Sequence, residues 1–121
     1  MPTTAEKIRL YGIPNCDQVR AARAWLKAHG RDAELIDLRA QRLDPALLDR
    51  WLARIPWDSL VNRRGMTWRS LDPLVRAKIV DQHSAIELML AHPLVIKRPV
   101  LEFGEKMSVG FSAPLYESLF N

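Results

Sequence analysis

The spacing of apolar residues divides the chain into alternating segments of strand and helix. Residues 7–13 form an apolar-rich run that ends in Gly12 and Pro14, which predicts a first strand closed by a turn. Beyond Cys16 the apolar positions recur at helical spacing, and residues 34–38 again have the character of a strand. Because strand, helix and strand follow one another directly, this part of the chain predicts a βαβ unit with parallel strands.

The middle of the chain is predicted to be helical. Asp44-Pro45 and Asp72-Pro73 each place an N-cap before a proline at the first helical position. The apolar faces that follow predict one helix ending near Pro56 and another running to about Val80. Residues 62–67, which are polar and contain a glycine, predict a loop between the two helices.

A further helix is predicted before the chain returns to strands. Ser84 and Glu87 have the spacing of a capping box, and the apolar residues behind them lead to a helix end at His92 and Pro93. Taken together, residues 44–93 predict a helical insertion.

The last part of the chain changes period again. From Val100 the apolar positions alternate on either side of Gly104-Glu105, which predicts a hairpin with a type II′ turn. Ser112 is the predicted N-cap of a final helix. The order of elements predicts an α/β protein with a thioredoxin-like fold, a mixed sheet and the inserted helices. No linker or repeat interrupts it, so residues 1–121 are expected to form a single domain.

Composition favours a protein of the cytoplasm. The 121 residues are 48% hydrophobic, which suffices for a core, but no apolar run is long enough to span a membrane. Residues 1–9 lack the basic flank and apolar block of a secretory signal. Cys16 is the single cysteine, so no internal disulfide can form, and a free thiol fits a reducing compartment.

The net charge of +4 indicates an anionic ligand or partner. The basic residues are scattered, and no recognition helix or RNA-binding motif surrounds their clusters, which argues against sequence-specific binding of nucleic acid. A small anion or an acidic protein partner suits this charge better. The three histidines lack metal-like spacing, and with one thiol no metal site is expected.

Cys16 is the candidate for chemistry, within the stretch LYGIPNCDQVR of residues 10–20. At the N-terminus of the first helix, unpaired N–H groups and the macrodipole favour a thiolate and welcome an incoming anion. Arg20, one turn further on, either adds positive potential or points into solvent. The alternative for Cys16 is a small buried apolar residue, which is the usual fate of a free cysteine.

Four stretches of the chain resemble the arsenate-reductase-like (ArsC/Spx/YffB) family, most closely its YffB branch. They are IRLYGIPNCDQVRAARAWLKAHG, LVNRRGMTWRSLD, SAIELMLAHPLVIKRPVLEFG and MSVGFS, in family order and over nearly the whole chain. The resemblance implies a thioredoxin-like fold and an active cysteine at Cys16. Members of the branch are described as glutathione-dependent thiol reductases or arsenate-reductase-like proteins, with no bound cofactor and with glutathione as cosubstrate.

The resemblance also assigns a role to the pair Arg98-Pro99. The matching arginine of the family lies beside the catalytic cysteine and binds the oxyanion, and the matching proline is cis. A guanidinium is suited to this task because it presents planar, permanently charged donors to an oxyanion or a carboxylate. The alternative for Arg98 is a solvated basic turn.

Departures from the family pattern change the expected substrate. Arsenate reductases of this family surround the arsenic with three arginines, whereas here Asn62 stands at the second position, followed by Arg63 and Arg64, and the third falls near Val109 or Gly110. Each missing charge-assisted hydrogen bond costs about 1.5 to 3 kcal/mol, so efficient arsenate reduction is not expected. A small oxidised thiol or another oxyanion remains the expected substrate.

A second departure concerns the end of the redox cycle. Spx redox-switch members carry C-x-x-C, but Val19 replaces the second cysteine here, so an outside thiol, glutathione or a glutaredoxin, must resolve any intermediate. Spx relatives also act by binding RNA polymerase. A non-catalytic regulatory module that binds RNA polymerase or another protein is therefore the alternative function.

Overall fold

The computed structural model describes residues 7–40 and 42–120. The strands are β1 (Ile8–Gly12), β2 (Ala33–Asp37), β3 (Val100–Phe103) and β4 (Lys106–Val109). The helices are α1 (Asp17–Ala28), α2 (Pro45–Leu52), α3 (Trp57–Leu60), α4 (Met66–Arg69), α5 (Pro73–Ala77), α6 (Gln82–Ala91) and α7 (Ala113–Phe120), with a 3₁₀ turn at Pro93–Val95. Residues 1–6, on which the expectation of no secretory signal partly rests, lie outside the described part. No described helix combines the length and apolarity that crossing a membrane requires.

The chain divides into two compact units. The first contains the described residues up to Asp37 and from Arg98 onward, and it holds the sheet with α1 and α7. The second is Leu38–Lys97 and holds α2 to α6. The helical insertion predicted at residues 44–93 lies within this second unit.

The sheet of the first unit has the order β2-β1-β3-β4. β1 pairs in parallel with β2, as the βαβ pattern predicted, and antiparallel with β3, where Leu10 faces Leu101. β3 and β4 form an antiparallel hairpin closed by the pair Phe103 and Lys106. A mixed four-stranded sheet flanked by helices confirms the predicted α/β, thioredoxin-like fold.

The hairpin turn has the predicted geometry. Gly104 has φ +60°, while no non-glycine residue in the described ranges has a positive φ. A left-handed residue at only the first of two turn positions is the mark of type II′. Glycine is required at position 104 for this reason.

Each unit has its own buried side chains. In the first unit, α1, α7 and the sheet share a core formed by Ile8, Leu10, Val19, Ala22, Leu26, Leu101 and Tyr116. Trp25 and Phe111 pack edge-on against the Tyr116 ring, with centroids 5.6 and 4.7 Å away. Lys106 Nζ donates to the Leu119 carbonyl at 2.7 Å and so caps the C-terminal end of α7. In the second unit the largest fully buried side chains are Trp51, Leu48, Leu60, Met89, Ile96 and Val95.

Tyr116 gives the first unit a predictable alkaline instability. Its hydroxyl is buried without a hydrogen-bond partner among the described residues, and burial raises its pKa above the ordinary value of 10.0. From about pH 10 upward the unfolded phenol loses its proton while the folded one keeps it, so stability falls by up to 1.36 kcal/mol per pH unit. Below pH 10 this contribution is fully present.

Substitution of Tyr116 with phenylalanine is expected to remove this pH dependence and to cost nothing at neutral pH, because the deleted hydroxyl has no partner. Urea unfolding between pH 7 and about 11 gives the free energy of unfolding of both proteins. The contributions of other titrating groups cancel when one curve is subtracted from the other. Equal slopes above pH 10 in the two proteins would show that the phenol is solvated.

The helix predicted to end near Pro56 ends earlier, since α2 stops at Leu52 with Ala53 as its C-cap. Three further boundaries in the second unit also differ from the prediction. The predicted capping box of Ser84 and Glu87 is wrong: Asp81 is the N-cap of α6, its carboxylate accepts the Ser84 N–H at 2.9 Å, and Ser84 Oγ accepts the Asp81 N–H. This hydrogen bond lowers the pKa of the Asp81 carboxyl. Glu87 lies one turn inside the helix, 2.9 Å from His83.

The other two differences concern short helices. The helix that begins at Asp72-Pro73 ends at Ala77 instead of about Val80, since Lys78 already acts as its C-cap. The predicted loop at residues 62–67 ends early, because Met66 and Thr67 form the first turn of α4. Periodicity cannot reveal a helix of four residues, since one turn has no repeat.

Candidate functional site

Cys16 is the N-cap of α1. Its backbone is extended, its carbonyl accepts the Arg20 N–H at 2.9 Å, and its own N–H donates to the Ile13 carbonyl at 3.3 Å. The side chain makes no capping hydrogen bond, is half-buried and packs against the core of the first unit. The thiol is thus held at the helix start with its sulfur unengaged by the backbone.

The local charge at Cys16 comes chiefly from the helix backbone. The first N–H groups of α1 have no intrahelical acceptor, and they carry the positive end of the macrodipole. Arg20 is exposed and pairs with Asp17 at 3.0 Å, and it also donates to the Asn15 carbonyl at 3.3 Å. Because Asp17 offsets its charge, Arg20 is not a free cation for the thiol. Its hydrogen bond to the Asn15 carbonyl instead holds the turn before Cys16.

Arg98 and Pro99 emerge at the same end of the sheet as the Cys16 turn. β3 runs antiparallel to β1, and Val100 at its start faces Tyr11 near the end of β1. The residues just before β3 therefore lie beside the residues just after β1. The Arg98–Pro99 peptide bond is cis, as the resemblance implied.

Arg98 is half-buried, and its guanidinium has no hydrogen-bond or ion-pair partner within residues 7–40 and 42–120. A partly desolvated cation without a carboxylate is available to an external anion. The first unit thus brings a half-buried thiol and an unpaired arginine to one end of its sheet.

The end of β4 reaches the same region. The Pro99 carbonyl accepts the Gly110 N–H at 2.9 Å, and Gly110 is buried with φ +79°. The sequence match put the third arginine of arsenate reductases near Val109 or Gly110, and neither offers a charged side chain. At this end of the sheet, Arg98 is therefore an unpaired guanidinium that the first unit can offer to an incoming anion.

Asn62, Arg63 and Arg64 belong to the second unit, where they form a constrained turn. Asn62 Oδ1 accepts the Arg64 N–H at 3.1 Å, and a Cβ at Gly65 would lie 2.8 Å from Asn62 Nδ2. The turn is anchored because the Asn62 N–H donates to the Val95 carbonyl at 2.8 Å. Its amide oxygen is thus used structurally, which leaves its NH₂ group as the donor for an anion.

The two arginines of this turn differ in their surroundings. The Arg63 guanidinium lies over the Trp57 ring, 5.3 Å from its centroid, and Arg64 is exposed. Stacking on an aromatic ring orients a guanidinium and leaves its edge donors accessible. Their predicted role in binding substrate remains a prediction.

Gly12 is a site residue that sequence reasoning did not find. A Cβ built on it would lie 2.6 Å from Val19 Cγ2, and Val19 is fully buried on the first turns of α1. The missing side chain lets α1 approach the end of β1, which sets the position of Cys16. The sequence signal was present as a glycine before a proline-containing turn, but it was interpreted only as the end of a strand.

Comparison with known proteins decides the family. The model of the ArsC family matches residues 11–119. The chain belongs to the ArsC family. This confirms the resemblance that the motifs carried, and the match includes Cys16, Asn62, Arg98 and Pro99.

Relatives of known structure extend the match over the full fold. The chain is 42% identical to a YffB protein, with a TM-score of 0.89 over 95% of this chain and 100% of the other. It is 45% identical to an arsenate reductase (ArsC) related protein from Brucella melitensis, with a TM-score of 0.75 over 99% of each chain.

Two curated proteins are also similar in sequence. An uncharacterized protein of Haemophilus influenzae is 37% identical over 93% of this chain and 98% of its own length. The regulatory protein MgsR of Bacillus subtilis is 22% identical over 88% of this chain and 85% of its own length. The chain is thus similar to a protein described as arsenate-reductase-related and to one described as regulatory.

Proposed function

We propose that this chain is a cytoplasmic thiol oxidoreductase that uses Cys16 as a single nucleophile and glutathione as its reductant. The observation that carries the proposal is a free, half-buried cysteine at the N-terminus of α1, at the sheet end where Arg98 has no partner among the described residues. Membership of the ArsC family supports reductase chemistry in general. The free cysteine also suits a reducing compartment.

The reaction follows from thiol–disulfide exchange. The Cys16 thiolate attacks the glutathione sulfur of a mixed disulfide between glutathione and the substrate. The substrate–glutathione bond breaks, a Cys16–glutathione disulfide forms, and the substrate leaves as a thiol. A second glutathione thiolate then attacks the glutathione sulfur of that disulfide, so Cys16 is restored and oxidised glutathione is released. The net reaction converts one mixed disulfide and one reduced glutathione into the substrate thiol and oxidised glutathione, so one disulfide bond breaks as another forms. The outside thiol is needed because Val19 stands where a resolving cysteine would be.

Arg98 would bind a carboxylate of glutathione or a substrate oxyanion beside the reacting sulfur. One unpaired guanidinium is suited to a singly charged carboxylate, whereas arsenate needs several cations at once. We therefore place arsenate below glutathionylated thiols as a substrate. On the family resemblance, Asn62, Arg63 and Arg64 are also proposed as donors to an anion.

The experiment is incubation of the protein with oxidised and reduced glutathione, a panel of glutathionylated thiols, and arsenate. We expect mass spectrometry to find one glutathione on Cys16, and turnover of the mixed disulfides but not of arsenate to depend on glutathione. No adduct and no turnover across the panel would overturn the proposal.

Substitution of Arg98 with alanine is expected to raise the KM for a glutathionylated substrate about tenfold or more, since a charge-assisted hydrogen bond is worth about 1.5 to 3 kcal/mol. Lysine should restore part of this loss, because it keeps the charge without the planar fork. The matched control is Arg23→Ala, which removes an exposed arginine of α1.

The readout that separates anion binding from a structural role is the choice of substrate. An uncharged disulfide should be reduced by Arg98→Ala at nearly the wild-type rate. If the variant loses both substrates equally, Arg98 acts in some other way than by binding the anion.

A non-catalytic regulator is the second candidate, favoured by the similarity to MgsR. On this hypothesis the chain binds RNA polymerase or another protein, and Cys16 is dispensable. A pull-down with wild type and Cys16→Ser distinguishes the two. Partners retained by both proteins, together with no thiol-dependent turnover, would favour the regulator.

A further inference from the structure

Residues 63–80, called here the α4–α5 segment, expose apolar side chains to an unusual degree. Met66, Leu74 and Val80 are 84%, 73% and 71% exposed, and Val75 is 40% exposed. Neither α4 nor α5 contains a single buried residue. Isolated exposed apolar residues are ordinary, but four of them on one short segment make it a candidate interaction surface.

The same segment carries the net charge of the chain. It contains five basic residues and one acidic residue, Arg63, Arg64, Arg69, Arg76, Lys78 and Asp72, so its formal charge is +4. The whole chain has 18 basic and 14 acidic residues, which leaves 13 of each elsewhere, and these cancel. The basic surplus noted in the sequence is therefore local.

The charges of the segment are also uncompensated. None of its five cations forms an ion pair with a carboxylate in the described part of the chain. Its one acid, Asp72, is occupied as the N-cap of α5, where the carboxylate accepts the Leu74 N–H at 2.8 Å. An incoming acidic group would thus meet cations that have no internal competitor.

We propose that the α4–α5 segment is a docking surface for an acidic protein segment that carries apolar anchors. Complementary charge selects the partner and speeds its approach, while Met66, Leu74 and Val80 supply the apolar contacts that give affinity. The surface goes beyond the proposed reductase activity and excludes Cys16 and Arg98. It shares Arg63 and Arg64 with the proposed anion donors, and the variants that test it leave those two residues unchanged.

Other occupants match these features less well. A membrane-surface helix needs a continuous apolar face, and helices of four and five residues do not provide one. Nucleic-acid binding relies on phosphate contacts and on aromatic side chains that stack on bases, whereas the exposed apolar side chains of this segment are aliphatic. A second copy docked face to face would bring two segments of charge +4 together.

The test is a fluorescence-anisotropy titration of the full chain with a labelled peptide. The peptide spans about four helical turns, with leucine at helical spacing and glutamate between. Two matched peptides replace its leucines with serine or its glutamates with glutamine. We expect each matched peptide to bind about tenfold more weakly or worse, and added salt to weaken the binding of the parent peptide.

Variants locate the binding. Leu74→Ser with Val80→Ser, and separately Arg69→Gln with Lys78→Gln, are expected to weaken binding about tenfold. The matched controls Leu90→Ser, on an exposed apolar residue of α6, and Arg23→Gln with Lys27→Gln, on α1, should bind like wild type. Turnover of a glutathionylated substrate should be unchanged in all four, which separates this surface from the proposed active site.

Several results would overturn the proposal. Equal binding by the α4–α5 variants and the controls would place the peptide elsewhere. Tighter binding to anionic vesicles or to nucleic acid, lost in the same variants, would reassign the surface to that class. Self-association by sedimentation that disappears with Leu74→Ser and Val80→Ser would make the occupant a second copy.

Discussion

Substitution of Cys16 with serine is expected to abolish turnover of glutathionylated substrates, by at least about 10³-fold. The thiolate is the nucleophile in disulfide exchange, and a serine hydroxyl neither ionises near neutral pH nor forms a disulfide. No other cysteine exists in the chain to substitute for it. The measurement is glutathione-dependent reduction of a mixed disulfide, together with the mass of the protein after exposure to oxidised glutathione.

The fold should survive this change, which makes the result interpretable. Cys16 is half-buried and its side chain makes no capping hydrogen bond, so the free energy of unfolding should change by less than about 1 kcal/mol. Serine is also a better N-cap than cysteine for α1. A variant that stays folded and still turns over substrate would show that Cys16 is not the nucleophile.

Substitution of Gly12 with alanine is expected to destabilise the protein by about 2 kcal/mol, within the usual range for overpacking a core. The new Cβ would lie 2.6 Å from Val19 Cγ2. Val19 is fully buried, and as a β-branched residue in a helix it has no alternative rotamer of similar energy. The helix must therefore move, and we expect alkylation of Cys16 to slow in the same variant.

Two controls separate the clash from a general effect of losing a glycine. Adding Val19→Ala to Gly12→Ala creates room, so the double variant should be more stable than the sum of the two single changes implies. Gly30→Ala removes a glycine with φ +69° and open space around it, which costs about 1 to 2 kcal/mol through the backbone alone. Gly30 follows the other end of α1, so alkylation of Cys16 should remain normal; wild-type stability of Gly12→Ala would refute the close approach.

The sequence was sufficient for the elements whose apolar period extends over several repeats. The βαβ unit, the hairpin at Gly104 and the long helix α1 have periods of two or 3.6 that no competing pattern imitates. α3 and α4 are four residues long, so no periodicity marks them. The predicted start of α6 was wrong for another reason. Asp81 with Ser84, and Ser84 with Glu87, have the same spacing, so the sequence alone does not choose between them, and in the structure Asp81 and Ser84 form the capping box.

The residues of the candidate site likewise fall into those that the sequence could predict and those that it could not. Cys16 was locatable because a helix start is a local feature, and Arg98 because the joint resemblance to the family assigned it a role. The contribution of Gly12 depends on a contact between a strand and a helix, and that of Gly110 depends on a hydrogen bond to Pro99 across the sheet end. Contacts of this kind leave no periodic trace in one sequence, so three-dimensional packing is needed to find them.

The edge strands of the sheet determine whether a partner can bind by adding a strand of its own. Within the described part of the chain, β2 and β4 are the edge strands, with five and four residues, and each carries charge. Glu34 of β2 pairs with Lys7 at 3.5 Å, and Lys106 of β4 donates to the Leu119 carbonyl. Short, charged edges resist the addition of a foreign strand and so protect a sheet from cross-chain aggregation. Binding by β-augmentation is therefore disfavoured, and side chains on the helices and turns are the expected contacts for binding partners.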